Sequence, residues 1–158
     1  MASVKERWMR QAIDLAVENV RSGHGGPFGA LVVREDRVIS SGVNSVVAAN
    51  DPTAHAEVVA IRAACRELGT FQLRECELYA SCEPCPMCLG AIYWARLKAF
   101  YFASSRQAAA AAGFDDARIY EELTLPAEMR SIPSHLVLAS RGGEPFEEWA
   151  RSARKVLY

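Results

Sequence analysis

A histidine, a glutamate and three cysteines stand apart from the rest of the chain by their types and spacing. His55 is followed two residues later by Glu57, and Cys82, Cys85 and Cys88 repeat at three-residue steps. Imidazole nitrogen and thiolate sulfur are donors that zinc favours, and three protein ligands leave a fourth position open for water. Cys85 and Cys88, one turn apart on a helix, point their sulfurs the same way. His55, at the start of another helix, completes a three-ligand set. Two helix N-termini meeting at one metal also bring positive dipole ends beside the thiolates, which lowers their pKa. Glu57 is then left over, a carboxylate free of the metal and able to move the protons of a bound water. Side chains two apart on a helix point to nearly opposite sides. The arrangement therefore needs the metal just beyond the first turn, where both side chains curl over the helix end.

Other readings of the same residues compete. Cys82 could close a structural Cys3His site, since structural zinc sites use four protein ligands. Against it, Cys82 falls at the end of a strand, and a structural site has no use for Glu57. A redox C-x-x-C pair lacks any thioredoxin-like context. Glu57 by itself could be a first-turn carboxylate held by the helix dipole. Cys65 and Cys76 read as small apolar packing residues.

The elements that must position these groups follow from periodicity. Ser3 and Glu6 have capping-box spacing, and Trp8, Ala12, Leu15, Ala16 and Val20 recur at helical intervals until Gly23. "FGALVV" and "RVISSGV", joined by "RED", predict a β-hairpin. "DPTAHAEVVAIRAACRELG" predicts a helix with Asp51 as N-cap, Pro52 in the first turn and a stop at Gly69. "CELYAS" is a strand feeding the helix "EPCPMCLGAIYWAR", and "KAFYFAS" is a strand before the helix "RQAAAAAG". "HLVLAS" reads as a late strand and "EPFEEWARSARKVLY" as a last helix. Strands alternating with helices predict an α/β domain, and the opening hairpin makes its sheet mixed.

Composition narrows the class. The chain has 158 residues, 51% of them hydrophobic, and a formal net charge of −1. That fits one compact domain spanning 1–158, with no bulk attraction to a polyanion or a membrane surface. No apolar run approaches the roughly 20 residues that span a bilayer. The opening residues read as an amphipathic helix and not a secretory signal, so the five cysteines are expected as thiols or metal ligands and the location as cytoplasmic.

His-Ala-Glu followed by Pro-Cys-x-x-Cys resembles the zinc-dependent nucleoside and base deaminases of the cytidine deaminase fold. The wider words "GGPFGA", "NDPTAHAEV", "SCEPCPMCLGAIYWAR" and "AGFDD", with Tyr158, resemble more narrowly the small bacterial guanine deaminases of this fold. The match is firmest from Gly25 to Asp116.

That resemblance implies a three-layer α/β sandwich, a central mixed sheet covered by helices on both faces. It implies one Zn2+ per chain on His55, Cys85 and Cys88, with water or hydroxide as fourth ligand. The implied reaction is hydrolysis of a cyclic amidine C–N bond, turning guanine into xanthine and ammonia. Glu57 is the implied proton carrier, and Asp116 assists at the amino group. Asn44 is implied to hold the base and Tyr158 to close over it, with Ala56 as a further expected base contact, while Phe28 and Trp94 offer flat rings on which it could stack. The residues alone allow blander roles: Asn44 in a turn, Phe28 and Trp94 in a core, Tyr158 frayed, His24 exposed. Asp115 reads as a cap for the helix "DARIYEEL". Similar guanine deaminases exchange the terminal segment, here about 145–158, between two subunits, so a homodimer is implied as well.

Within the same fold, a tRNA adenosine deaminase or a nucleoside (cytidine or guanosine) deaminase remains open. A tRNA enzyme needs Lys and Arg contacts to phosphates over an extended surface. The last helix carries Arg151, Arg154 and Lys155, but also Glu144, Glu147 and Glu148. A small purine base, with no nucleic acid and no membrane, is the better expectation. A zinc-stabilised binding module without activity would leave Glu57 unexplained.

Overall fold

The computed structural model describes residues 3–114 and 116–158. It divides into two compact units, one ending at Tyr120 and one covering Glu121–Tyr158. The chain opens with α1 (Val4–Arg21), whose N-terminus carries the full capping box of Ser3 and Glu6. The hairpin β1 (Gly29–Arg34) and β2 (Arg37–Val43) follows. Glu35 and Asp36 make its turn at φ 49° and 57°, the left-handed pair that matches the twist of a two-residue hairpin loop. A short α2 (Val46–Ala49) leads to α3 (Ala56–Leu68), β3 (Glu77–Cys82) and α4 (Pro86–Trp94). Then come β4 (Ala99–Ser104), α5 (Arg106–Ala111) and α6 (Ala117–Thr124).

The strands order as β2-β1-β3-β4, with β3 and β4 parallel and the other pairs antiparallel. Period two along β1 sends alternate residues to opposite faces. Leu31 and Val33 meet Trp8 and Ala12 of α1, together with Tyr79. Ala30 and Val32 meet Ala56, Ala60 and Ala64 of α3 and Ile92 of α4. Helices therefore cover both faces of a mixed sheet, as the resemblance implies. Gly42 lets α3 lie against the sheet, because a Cβ there would collide with the Ala56 carbonyl.

Three expectations need correction. The helix after "DPTAH" starts at Ala56, with His55 and not Asp51 as N-cap. Asp51 instead closes a turn, its Oδ1 accepting from the Thr53 amide at 2.8 Å and the Thr53 hydroxyl at 2.7 Å; such local bonds compete with helix. The α1 stripe ends on buried Asn19, whereas Val20 is exposed. "HLVLAS" forms no strand: residues 133–138 carry no regular structure, and Leu136 is 88% exposed. A strand needs a neighbour to satisfy its backbone groups, and no described strand pairs with this segment.

The second unit holds two short 3₁₀ turns and α7 (Glu144–Arg151), which stops well before Tyr158. Arg141–Glu144 and Arg151–Glu148 pair on its surface, where exposed ion pairs stabilise little. No described helix is long and apolar enough to cross a membrane.

Candidate active site

Two helix starts supply the donors. His55 caps α3 in extended conformation (φ −72°, ψ 152°), and Cys85 caps α4 the same way (φ −68°, ψ 169°). Neither side chain makes a capping hydrogen bond to its helix. Because His55 lies outside the helix and Glu57 inside its first turn, the two need not point apart as two-apart helical residues do. Pro86 after Cys85 starts α4 with a preset φ and no wasted donor. Cys88 follows one turn later.

Cys85 Sγ and Cys88 Sγ each lie 3.5 Å from His55 Nδ1, and all three donor atoms are within 4.8 Å of one another. A tetrahedral zinc with ordinary Zn–S and Zn–N bonds has an S···N edge of about 3.6 Å. The donor set therefore fits that ion. Cys82 stands apart, its thiol directed to the Ser105 carbonyl at 3.7 Å. The Cys88 thiol, helped by His55, lowers Cys85 to about 4 against the opposing effect of burial. The Cys85–Cys88 hydrogen bond, together with burial, pushes Cys88 up. A cation bound by these residues would displace the protons of its thiol ligands.

Glu57 is 7% exposed. Burial raises its carboxyl pKa, opposed by its own backbone amide and by the Cys88 thiol. A carboxyl poised this way can take a proton and return it.

The donors open into a cavity of about 240 Å³. Phe28, Asn44, His55, Glu57, Cys82, Glu83, Cys85, Ala109, Phe114, Asp116 and Ile119 line it. Phe28 and Phe114 meet edge to face with centroids 4.8 Å apart. Asn44 Oδ1 accepts from the Gly26 and Val46 amides, both at 3.4 Å. Asp116 Oδ1 is buried with no partner among the described residues, and burial raises its pKa. Asp116 thus brings to the cavity lining a carboxyl with one buried, unpartnered oxygen among the described residues.

Of the residues expected to hold a base, Phe28 and Asn44 line this cavity, and Ala56 and Trp94 of the same unit do not. Ala56 is buried in the core beneath the helix start. Trp94, 63% exposed, closes α4, and Tyr158 is exposed in the second unit. Asp115, expected as a helix cap, lies outside the described residues. Glu83, Ala109, Phe114 and Ile119 come to the site unannounced by spacing. Glu83 Oε2 accepts from the Arg106 amide at 3.1 Å, and the Tyr120 hydroxyl donates to the Pro84 carbonyl at 2.8 Å. These bonds tie the α5–α6 segment to the loop that carries Cys85. A glutamate between two site cysteines was the one available signal.

Residues 2–104 match the cytidine and deoxycytidylate deaminase zinc-binding region. The chain is 53% identical to a guanine deaminase of Bacillus subtilis (strain 168), over 97% of this chain and 98% of that protein. The solved structure of the Bacillus subtilis guanine deaminase superposes with a TM-score of 0.95 at the same coverage. A guanine deaminase of Nitrosomonas europaea is 33% identical over 73% of this chain and 66% of its own, with a TM-score of 0.67. A tRNA-specific adenosine deaminase of Aquifex aeolicus is 42% identical, over only 63% of this chain and 66% of its own. With its three donors, buried glutamate and matching zinc-binding region, the chain belongs to the cytidine and deoxycytidylate deaminase family.

Proposed function

We propose that the chain is a guanine deaminase, a hydrolase that converts guanine and water into xanthine and ammonia. The end-to-end likeness to the Bacillus subtilis enzyme carries the choice of substrate. His55, Cys85 and Cys88 would hold one zinc, leaving a fourth position for water. When bound, zinc brings the pKa of water to about 7 and so supplies a nucleophile at neutral pH.

Glu57 does the proton work. It accepts one proton from the water that attacks C2 and passes it to the adjacent ring nitrogen. It then carries the remaining hydroxyl proton to the amino group, which leaves as ammonia. Asp116, a carboxyl in the cavity lining whose pKa is raised by burial, assists the transfer at that amino group. Asn44 holds an edge of the base, and the Phe28 and Phe114 rings form apolar walls for its plane. Burial of Glu57 keeps bulk water from taking its proton.

The working form we propose is a homodimer of single catalytic domains that exchange residues 145–158, with Tyr158 closing the partner copy's pocket. Exposed Phe146, Val156, Leu157 and Tyr158 support this reading. So does Trp94, whose exposed ring and absence from its own cavity suit a contact with a base in another copy. Free thiols serving as ligands suit a reducing cytoplasm.

The test is ammonia release by zinc-loaded protein offered guanine, guanosine, cytidine, adenosine and tRNA. Guanine alone should be turned over efficiently, with weak dependence on salt because no phosphate counterions are displaced. Efficient tRNA deamination that collapses between low and moderate salt would overturn the assignment.

A further inference from the structure

Asn19 is the polar exception on the buried face of α1, in line with Trp8, Ala12 and Ala16 and only 4% exposed. A buried amide persists when its hydrogen bonds are met, and here they are met by the pocket wall. Asn19 Nδ2 donates to the Gly26 carbonyl at 2.8 Å and to the Asn44 carbonyl at 2.9 Å. Its backbone carbonyl accepts from the His24 amide at 3.2 Å and the Gly25 amide at 3.4 Å. One residue thus ties the glycine loop after α1 to the end of β2. Gly25 makes the approach possible, since a Cβ there would collide with the Asn44 carbonyl.

The tie has a chemical consequence at Asn44. With the loop drawn in, the Gly26 and Val46 amides both aim at the Asn44 side chain. Both are donors, so the atom they meet must be oxygen. The Asn44 NH₂ is left for whatever occupies the cavity.

We propose that Asn19 is a positioning residue that sets the polarity of Asn44, so that the pocket offers a hydrogen-bond donor and selects a base edge presenting an acceptor. Guanine meets this demand through its carbonyl oxygen or an unprotonated ring nitrogen. Asn19 never touches the base; it acts through the loop and Asn44. Without the tie, the Gly26 amide loses its aim, and the local Val46 amide is left as the one described donor fixing the Asn44 side chain. The inference rests on the proposed function for Asn44's contact with the base.

A double-mutant cycle tests it. Asn19→Ala is made in the wild-type and Asn44→Ala backgrounds, and KM and kcat for guanine, Kd by calorimetry and zinc content are measured. Asn19→Ala alone should raise KM and Kd about tenfold with kcat changed less than about threefold, the signature of lost binding in ground and transition states alike. In the Asn44→Ala background the same change should cost less than about twofold. Asn19→Ser, which keeps one donor, should fall between wild type and Asn19→Ala and allows the cycle if the alanine variant does not fold. Equal effects in the two backgrounds would overturn the inference. Failure of both variants to fold would do so too, making Asn19 a framework residue only. A base-bound structure with Asn44 Oδ1 toward the ligand would equally reject it. Wild-type protein that binds guanine without deaminating it rejects the catalytic reading and leaves the cycle readable in Kd. Protein that does not bind guanine rejects both.

Discussion

Up to Tyr120, the sheet and its helices bury their large apolar side chains: Leu31, Val32, Leu78 and Tyr79 are all but inaccessible. After Tyr120 no described residue is buried, and Ile132, Leu136, Val137, Leu157 and Tyr158 all face outward. Both stretches carry strand- or helix-like apolar patterns in sequence. The difference lies in whether the pattern finds a surface to cover. Apolar area left in water forfeits about 25 cal/mol per Å², and the exposed Leu136, Val137, Leu138, Val156, Leu157 and Tyr158 leave that contribution unused. The described residues that line the candidate pocket belong to the first unit. The second is where the proposed exchange would act.

The largest effect expected on the first unit is loss of the metal. Cys85→Ser should abolish zinc binding and lower guanine turnover by on the order of 10³-fold or more, whereas Cys82→Ser should retain a full equivalent of zinc by elemental analysis. A Cys82 variant that loses its zinc would break the three-ligand reading. Glu57→Gln keeps shape and removes the proton carrier, so zinc should stay while kcat falls by on the order of 10² or more. Near-normal turnover in that variant would return Glu57 to a structural role.

Two deletions address the second unit. Removing 145–158 should break the dimer in sedimentation and lower turnover, while removing Tyr158 alone should keep zinc and the dimer and reduce kcat/KM by about tenfold. Full guanine turnover without Tyr158 would reject the lid. The smallest effect sharpens the contrast itself. Leu31→Ala should destabilise by about 2–5 kcal/mol. Leu136→Ala in dilute monomer should change stability by no more than about 0.5 kcal/mol. A Leu136→Ala cost that grows with protein concentration would show that this segment is covered on assembly; a large cost at every concentration would show that it is buried within one chain.

The first unit was far more legible than the second. The capping box, the hairpin and the donors at Cys85 and Cys88 depend on residues a few positions apart, and local geometry expresses them directly. The start of α3 was misread because Asp51 has two local options, a helix cap or a turn onto Thr53, and the turn won. "HLVLAS" was misread because strand propensity is a statement about a neighbour, and the described residues provide none.

By itself, the sequence determined which atoms could bind a metal, which carboxylate would be left over, and that strands and helices would alternate around a mixed sheet. These follow from side-chain chemistry and from periods of two and 3.6 residues. Only the tertiary structure decided that His55 stands outside its helix while Glu57 is sealed within, that Cys82 turns to Ser105, and that Phe114 meets Phe28 across the cavity. It also decided that Asn19, 25 residues before Asn44, would hold that residue's backbone. Such contacts join residues distant along the chain, and their existence depends on how sheet and helices stack, which no local spacing encodes.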